Sequence, residues 1–219
     1  GINNVALGSN ALDANTTGNH NIAIGADALT TGTQVSNCLA IGRRSLQLNT
    51  ANNNTAVGSD TLKANTSGAL NVAIGSNSQY NNTTGDNNTA LGYASLYANT
   101  TASNNTGIGY FALYSNTTGT KNVATGTSAL DSNTTGNHNT AVGYLSLSAN
   151  TTAQQNTALG NVALENNTTA SFGVAVGSQA LRNNTTGNNN TAVGYNSLTS
   201  NTTGSNNVAL GYQALDANT

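Results

Sequence analysis

The sequence predicts an all-β chain folded as a parallel β-solenoid or β-roll, with about thirteen coils and uncapped ends. Two observations carry this prediction. First, a glycine recurs thirteen times, and eleven of the twelve intervals between these anchor glycines are 17 residues. Second, each repeat holds two short apolar segments with turn residues between them, a spacing too tight for helices. The anchor glycines are Gly8, Gly25, Gly42, Gly58, Gly75, Gly92, Gly109, Gly126, Gly143, Gly160, Gly177, Gly194 and Gly211.

The array runs through residues 1–219 without a composition shift, so we expect a single repeat domain. The one short interval, of 16 residues, lies at about 43–58. Gly1 occupies the position of the turn glycine and Thr219 that of the first turn threonine, so the two ends of the sequence nearly complete one repeat. We therefore expect the chain to be a segment of a longer array. With strands about 4.8 Å apart, thirteen coils would form a rod of roughly 60 Å.

Each repeat is expected to contain two short strands. The stretch 190–195 alternates β-branched residues around Ala192, as a short strand requires. A second strand is expected around an Ala-Leu pair such as Ala214 and Leu215. An Asn-Thr-Thr-Gly run then supplies the turn, because Asn and Gly tolerate left-handed backbone angles.

Two positions define the predicted core. The alanine position, two residues before the anchor glycine, is Ala in twelve of thirteen repeats, with Gly107 as the exception. The leucine position, four residues after it, is Leu in twelve of thirteen, with Gln79 as the exception. Each buried leucine would contribute roughly 1.5–3 kcal/mol. The predicted core leucines are Leu12, Leu29, Leu46, Leu62, Leu96, Leu113, Leu130, Leu147, Leu164, Leu181, Leu198 and Leu215.

Asparagine recurs at two further positions. The turn asparagine follows the anchor glycine by seven residues in twelve of thirteen repeats, with Gly32 as the exception. The strand asparagine precedes it by four residues in eleven of thirteen, with Cys38 and Gly173 as the departures. Stacked amides can bond from coil to coil, so we predict two asparagine ladders.

The five-residue motifs Asn71-Val72-Ala73-Ile74-Gly75 and Asn4-Val5-Ala6-Leu7-Gly8 resemble the head repeats of trimeric autotransporter adhesins. That resemblance implies a left-handed parallel β-roll, three chains packed side by side and a role in adhesion. Those head repeats are typically shorter, and the stalk and membrane anchor of the family are absent here. The Asn-Thr-Thr-Gly runs are also similar to repeat arrays of phage tail fibres and bacterial surface proteins.

Composition argues against several function classes. Five Lys and Arg against seven Asp and Glu give a net charge of −2, with no basic stripe for nucleic acid. No apolar run is long enough to insert into a membrane. His20 and His138 share one position but lie seven coils apart, and no carboxylate pair suits acid–base chemistry. We therefore expect no catalytic, metal or cofactor site, and we interpret the single Cys38 as structural.

The Asn-Thr-Thr turns are candidate glycosylation sites, because they place a formal sequon at one position of ten repeats. The alternative is that these amides are buried in a ladder and that the turn threonines carry O-linked sugar. The candidate asparagines are Asn15, Asn65, Asn82, Asn99, Asn116, Asn133, Asn150, Asn167, Asn184 and Asn201. The candidate threonines are Thr17, Thr118, Thr135, Thr152, Thr186 and Thr203.

Two side-chain columns are further candidates. Asp27, Arg44 and Asp60 fall at one position of consecutive coils and should form an acid-base-acid ladder with a structural role. A candidate aromatic surface, for stacking or for glycan binding, consists of Tyr80, Tyr93, Tyr97, Tyr110, Phe111 and Tyr114.

These observations favour a non-catalytic segment of an extracellular fibre or surface adhesin, decorated with glycans at its turns. Its partner would be a second copy of itself, end to end or side by side, with a trimer as one arrangement. The alternative is a binding module, for carbohydrate through the tyrosines or for ice through threonine columns.

Overall fold

The computed structural model describes residues 1–218 and divides into two compact units, Gly1–Asn105 and Thr106–Thr219. Each unit is a parallel β-solenoid in which one coil contributes one strand of three residues. The predicted fold class is confirmed, since the chain holds thirteen parallel strands and no helix within residues 1–218.

The strands recur at the predicted spacing. The first unit contains β1 Val5–Leu7, β2 Ile22–Ile24, β3 Leu39–Ile41, β4 Thr55–Val57, β5 Val72–Ile74 and β6 Thr89–Leu91. The second unit contains β7 Thr106–Ile108, β8 Val123–Thr125, β9 Thr140–Val142, β10 Thr157–Leu159, β11 Val174–Val176, β12 Thr191–Val193 and β13 Val208–Leu210.

Within each unit, successive strands pair in parallel with equivalent residues side by side, as Ala158 with Ala175. The short repeat keeps this register, because Ala40 of β3 still faces Ala56 of β4. Its missing residue is absorbed in the turn. There the Nδ2 of Asn49 donates to the carbonyl of Ala51, two residues on, instead of three residues on as in the neighbouring repeats.

The expected second strand is wrong. The segment around each Ala-Leu pair, including Ala214 and Leu215, is a turn. The twelve leucines at the leucine position have left-handed φ values, from 49° at Leu62 to 57° at Leu12, which no strand accommodates. These turns still stack from coil to coil through backbone hydrogen bonds, as from the N–H of Leu29 to the carbonyl of Ser45 at 2.9 Å.

Alanine and leucine side chains meet inside each coil. The middle residue of each strand points inward, and Ala23, Ala141 and Ala192 are fully buried there. Ten of the predicted core leucines are also fully buried, and they face these alanines across a narrow interior. The ten are Leu29, Leu46, Leu62, Leu96, Leu113, Leu130, Leu147, Leu164, Leu181 and Leu198.

The two remaining predicted core leucines are not buried. Leu12 is half-buried and Leu215 is 51% exposed. They lie on the first and last coils, where no further coil of this chain covers the outer side. The core assignment is therefore corrected at Leu215, whereas the half-buried Leu12 packs against the core cluster of the first unit.

The anchor glycine has a backbone requirement that no other residue meets. All thirteen anchor glycines have φ between 122°, at Gly75, and 143°, at Gly160. A Cβ atom at Gly177 would lie 2.6 Å from the carbonyl oxygen of Gly194 on the next coil. Both the backbone angle and the close approach of two coils therefore select glycine.

Replacing Gly177 by Ala should lower the free energy of unfolding by at least about 2 kcal/mol, because it adds backbone strain and a clash between two backbones. Urea unfolding followed by circular dichroism measures this change. The matched control is Ser178→Ala on the neighbouring residue, which should leave the midpoint unchanged. Equal midpoints for the two variants would contradict the account.

Gln79 is the one predicted exception in the leucine column, and it is fully buried. Its Nε2 donates to the carbonyls of Val72 at 3.1 Å and Asn88 at 3.4 Å, whereas its Oε1 has no hydrogen-bond partner. A buried amide oxygen without a donor is unfavourable in a column of leucines.

Gln79→Leu should therefore raise the free energy of unfolding by about 1–2 kcal/mol, because it removes the unpaired oxygen and completes the leucine column. The converse variant Leu130→Gln provides the control and should lower stability. Urea midpoints of both variants test this, and a lower midpoint for Gln79→Leu would show that the glutamine is needed.

Candidate functional site

The turn asparagines form a buried amide ladder in each unit. In the second unit, the Nδ2 of Asn150 donates to the Oδ1 of Asn133 at 2.7 Å and to the carbonyl of Ala153 at 3.2 Å. The Oδ1 of Asn150 accepts in turn from Asn167 at 3.3 Å. The same chain of bonds links Asn49, Asn65, Asn82 and Asn99 in the first unit.

The strand asparagines form a second ladder with a different pattern. The Oδ1 of Asn71 accepts the backbone N–H of Asn88 on the next coil at 3.0 Å. Its Nδ2 donates to the carbonyl of Gly85 at 2.8 Å. Each such amide therefore satisfies two backbone groups of the following coil, which lie where no strand pairing reaches them.

One amide of each ladder is replaced near the second turn, by a glycine and by a cysteine whose Sγ donates to the carbonyl of Ala51 at 3.4 Å. Gly32 stands at the turn position, and the fully buried Val35 packs a methyl group against it. The strand position holds Cys38, whose Sγ lies 3.7 Å from the Nδ2 of Asn49. Burial raises the pKa of the Cys38 thiol, which keeps it protonated. A buried neutral thiol fits the structural interpretation of this residue.

This ladder bears on the two glycosylation hypotheses. Of the ten sequon asparagines, Asn15 is half-buried and nine are at most 1% exposed. Their Nδ2 atoms already donate inside the coil, so the folded chain does not present them for N-linked sugar. The structure therefore opposes the prediction at Asn15, Asn65, Asn82, Asn99, Asn116, Asn133, Asn150, Asn167, Asn184 and Asn201.

The two turn threonines differ in accessibility. The first threonine of each turn uses its hydroxyl between coils, as where the Oγ1 of Thr134 donates to the carbonyl of Thr151 at 3.0 Å. The second is exposed. The six candidate threonines Thr17, Thr118, Thr135, Thr152, Thr186 and Thr203 all belong to this exposed column.

The candidate aromatic surface is partly assembled in each unit. In the first unit, the rings of Tyr80 and Tyr97 stack with centroids 5.3 Å apart, and the Nζ of Lys63 lies 3.0 Å from the Tyr80 hydroxyl. In the second unit, Phe111 contacts Tyr110 at 4.0 Å and Tyr114 at 4.7 Å between centroids.

Other tyrosines of the chain lie at a different position. Tyr93 and Tyr110 directly follow an anchor glycine and are 46% and 49% exposed. Sequence reasoning missed three tyrosines at the same position, Tyr144, Tyr195 and Tyr212, of which the last two stack at 5.5 Å. Counting from the anchor glycine would have placed all five in one column.

The expected acid-base-acid ladder forms only in part. Asp60 pairs with Arg44 at 2.7 Å and also with Arg43 at 3.1 Å. Asp27 instead accepts a hydrogen bond from the Nδ2 of Asn10 at 3.0 Å. These contacts join neighbouring coils and have the structural role expected for them.

The remaining titratable residues do not assemble into a reactive group within residues 1–218. His20 and His138 are exposed in different units. Burial raises the pKa of the Asp131 carboxyl, an effect that the hydroxyl of Ser132 partly offsets. No group of His, Cys, Asp or Glu that could hold a metal occurs in this part of the chain, and it contains no pocket.

The outer face of each sheet consists of aliphatic and threonine side chains, an exposed surface that sequence reasoning did not anticipate. The first and third residues of all thirteen strands are Val, Ile, Leu or Thr, and they point away from the alanine interior. Among the third residues, Ile74 is 39% and Leu159 is 43% exposed. Within the strands the larger apolar residues therefore lie outside and the small alanine inside, because leucines from the opposite turn already fill the interior.

Comparison with known proteins gives no assignment, since no protein-family model, no curated protein and no solved structure matches the chain. Across residues 1–218 there is also no helix long and apolar enough to cross a bilayer. The functional argument therefore depends on the coil and its surfaces.

Asn150→Ala should lower the free energy of unfolding by about 2–3 kcal/mol, because the buried Oδ1 of Asn133 loses its donor and the buried Nδ2 of Asn167 loses an acceptor. Asn161→Ala, at an exposed position of the next repeat, is the matched control and should have little effect. Urea unfolding compares the two variants. A loss no larger than that of the control would show that the ladder contributes nothing to stability.

Proposed function

We propose that this chain is a non-catalytic structural segment of an extracellular fibre or surface adhesin. The observation that carries the proposal is the continuity of the coil: within each unit every coil contributes an equivalent strand, and most coils repeat the same turn and the same buried amide contacts. Such a stack can be lengthened coil by coil without a new core at each step, which suits a fibre.

The extracellular placement is supported by the resemblance of the Asn-Val-Ala-Ile-Gly motif to surface adhesins and by the exposed turn threonines. We propose that the second turn threonine carries O-linked sugar where the protein is glycosylated. Its hydroxyl is accessible, whereas the neighbouring asparagine amide is bonded inside the coil.

The binding-module alternative receives less support. Ice binding would need a flat and regular threonine array, and the first strand position alternates irregularly between threonine and aliphatic residues, as at Val72, Thr89 and Val123. The second turn threonines are regular but lie on a turn. Carbohydrate binding would use Tyr80 and Tyr97, whose rings already stack on each other.

Electron microscopy of the purified chain at increasing concentration tests the structural role. We expect filaments many times longer than one chain, with a fibre-diffraction spacing near 4.8 Å along their axis. Single particles at every concentration, together with saturable binding to a glycan array, would contradict the structural role and favour the binding module.

Intact-mass measurement of native material tests the sugar attachment. We expect that an enzyme releasing N-linked glycans leaves the mass unchanged, whereas alkaline β-elimination reduces it, because the accessible acceptor is the threonine hydroxyl. Mapped peptides should carry sugar at positions such as Thr135 and Thr152. Sugar attached to Asn133 or Asn150 would contradict this assignment.

A further inference from the structure

Within residues 1–218, the outer faces of the sheets have no second layer of the chain packed on them. We define the sheet face as the first and third residues of each strand together with the residue after the anchor glycine. Six of the thirteen strands are apolar at every position, as in Val72–Ile74, and the other seven carry one threonine. Nearly continuous apolar strands of this kind are typical of parallel sheets that are covered on both sides. Here the alanine side is covered by leucines, while the other side exposes residues such as Ile74, Ile108 and Leu159.

The exposed large apolar residues of the chain concentrate on this face. Fourteen of nineteen belong to it, and the other five are Ile2, Leu48, Leu70, Phe172 and Leu215. The fourteen are Val5, Leu7, Ile22, Ile74, Tyr93, Ile108, Tyr110, Val123, Tyr144, Leu159, Tyr195, Val208, Leu210 and Tyr212. A patch of this kind marks an interaction surface.

We propose that the sheet face is the surface on which a second copy of this chain packs, sheet against sheet. This inference rests on the proposed structural role and names its partner and its contact surface. The aliphatic and threonine side chains of the two faces would interdigitate, and the tyrosine column would lie at one margin, where each hydroxyl can reach water.

The area of the face fits such a partner. The sheet face is four residue steps wide, from the first strand residue to the residue after the anchor glycine, at about 3.3 Å per step. With strands about 4.8 Å apart, six strands give an area of roughly 380 Å² in the first unit and seven give roughly 440 Å² in the second. A second copy carries the same two faces, so each face meets a counterpart of its own length and width and can be covered along its whole length.

Charge and periodicity also favour a copy of the chain over another protein. Arg43 is the one charged residue among the 39 positions of the sheet face, and it pairs with Asp60. Two such faces therefore meet without like-charge repulsion. A copy also repeats its strands at the same spacing, so contacts that fit at one coil recur at the next.

Lysine substitutions on the face test the proposal. Val142 and Val176 are third residues of β9 and β11, two coils apart, and point away from the core. In V142K/V176K, association should weaken at least tenfold, because two charges would be desolvated at the contact. The matched control T135K/T169K adds the same charge to the exposed turn column and should associate like the unmodified chain. Sedimentation equilibrium measures the mass against the 21.9 kDa of one chain.

A second variant covers the case in which the lysines disturb folding. V142T/V176T replaces each valine by a residue that the chain itself carries at the equivalent position, Thr125, so the coil is preserved. It should also weaken association, by less than the lysines do. Circular dichroism verifies that each variant has the spectrum and melting temperature of the parent chain.

Several results would overturn the proposal. One is an unmodified chain that sediments at 21.9 kDa at every concentration, and another is equal association of the face and turn variants. Thermal hysteresis by a monomeric chain, lost in V142K/V176K, would assign the face to ice instead. Electron microscopy separates this outcome from the proposed function. If the lysine variant still forms filaments of the same width, the proposal that the sheet face is the contact surface is wrong and the structural role stands. If the parent chain forms no filaments, the structural role itself is contradicted.

Discussion

The hydrogen bond from one asparagine side chain to the next is the interaction on which the rest of the coil depends. Each coil turns sharply near the second apolar segment and leaves backbone carbonyls, such as that of Ala153, facing its interior. Water does not reach them there, so they need a donor from the chain. The Nδ2 of Asn150 serves that carbonyl and the preceding amide at once. An asparagine supplies both a donor and an acceptor, which no aliphatic residue can do.

The narrow interior explains the other invariant positions. An alanine at each strand centre keeps the wall thin, and a leucine from the opposite turn fills the remaining space. The leucine reaches inward because its backbone is left-handed, as at Leu130 with φ of 55°. Left-handed leucine costs about 1–2 kcal/mol, which burial of its side chain offsets. With the interior filled by alanine, leucine and amides, the larger β-branched residues are placed on the outside. The apolar sheet face is thus a consequence of the same geometry that makes the core.

Sequence periodicity was enough to predict the solenoid, the leucine column and the asparagine ladders, because each is a property of one position repeated thirteen times. It was not enough to predict the single strand per coil. The Ala-Leu pair looks apolar enough for a strand, and only the backbone angles place it in a turn. The outer face was missed for a different reason. The inward alanine already places its two neighbours outside, but only the coordinates show that side chains such as Ile74 and Leu159 stay exposed there. The burial of Asn133 and the exposure of Thr135 likewise needed coordinates, although both hypotheses were present in the sequence.

The buried amide ladder is the central claim, and side-chain hydrogen exchange tests it most directly. NMR spectra of asparagine-labelled protein resolve the Nδ2 protons, whose exchange with solvent reports their protection. The account predicts slow exchange for Asn133, Asn150 and Asn184, comparable with that of the backbone N–H groups in the strands, and fast exchange for the exposed Asn161. Fast exchange at all of these positions in the folded chain would contradict the account.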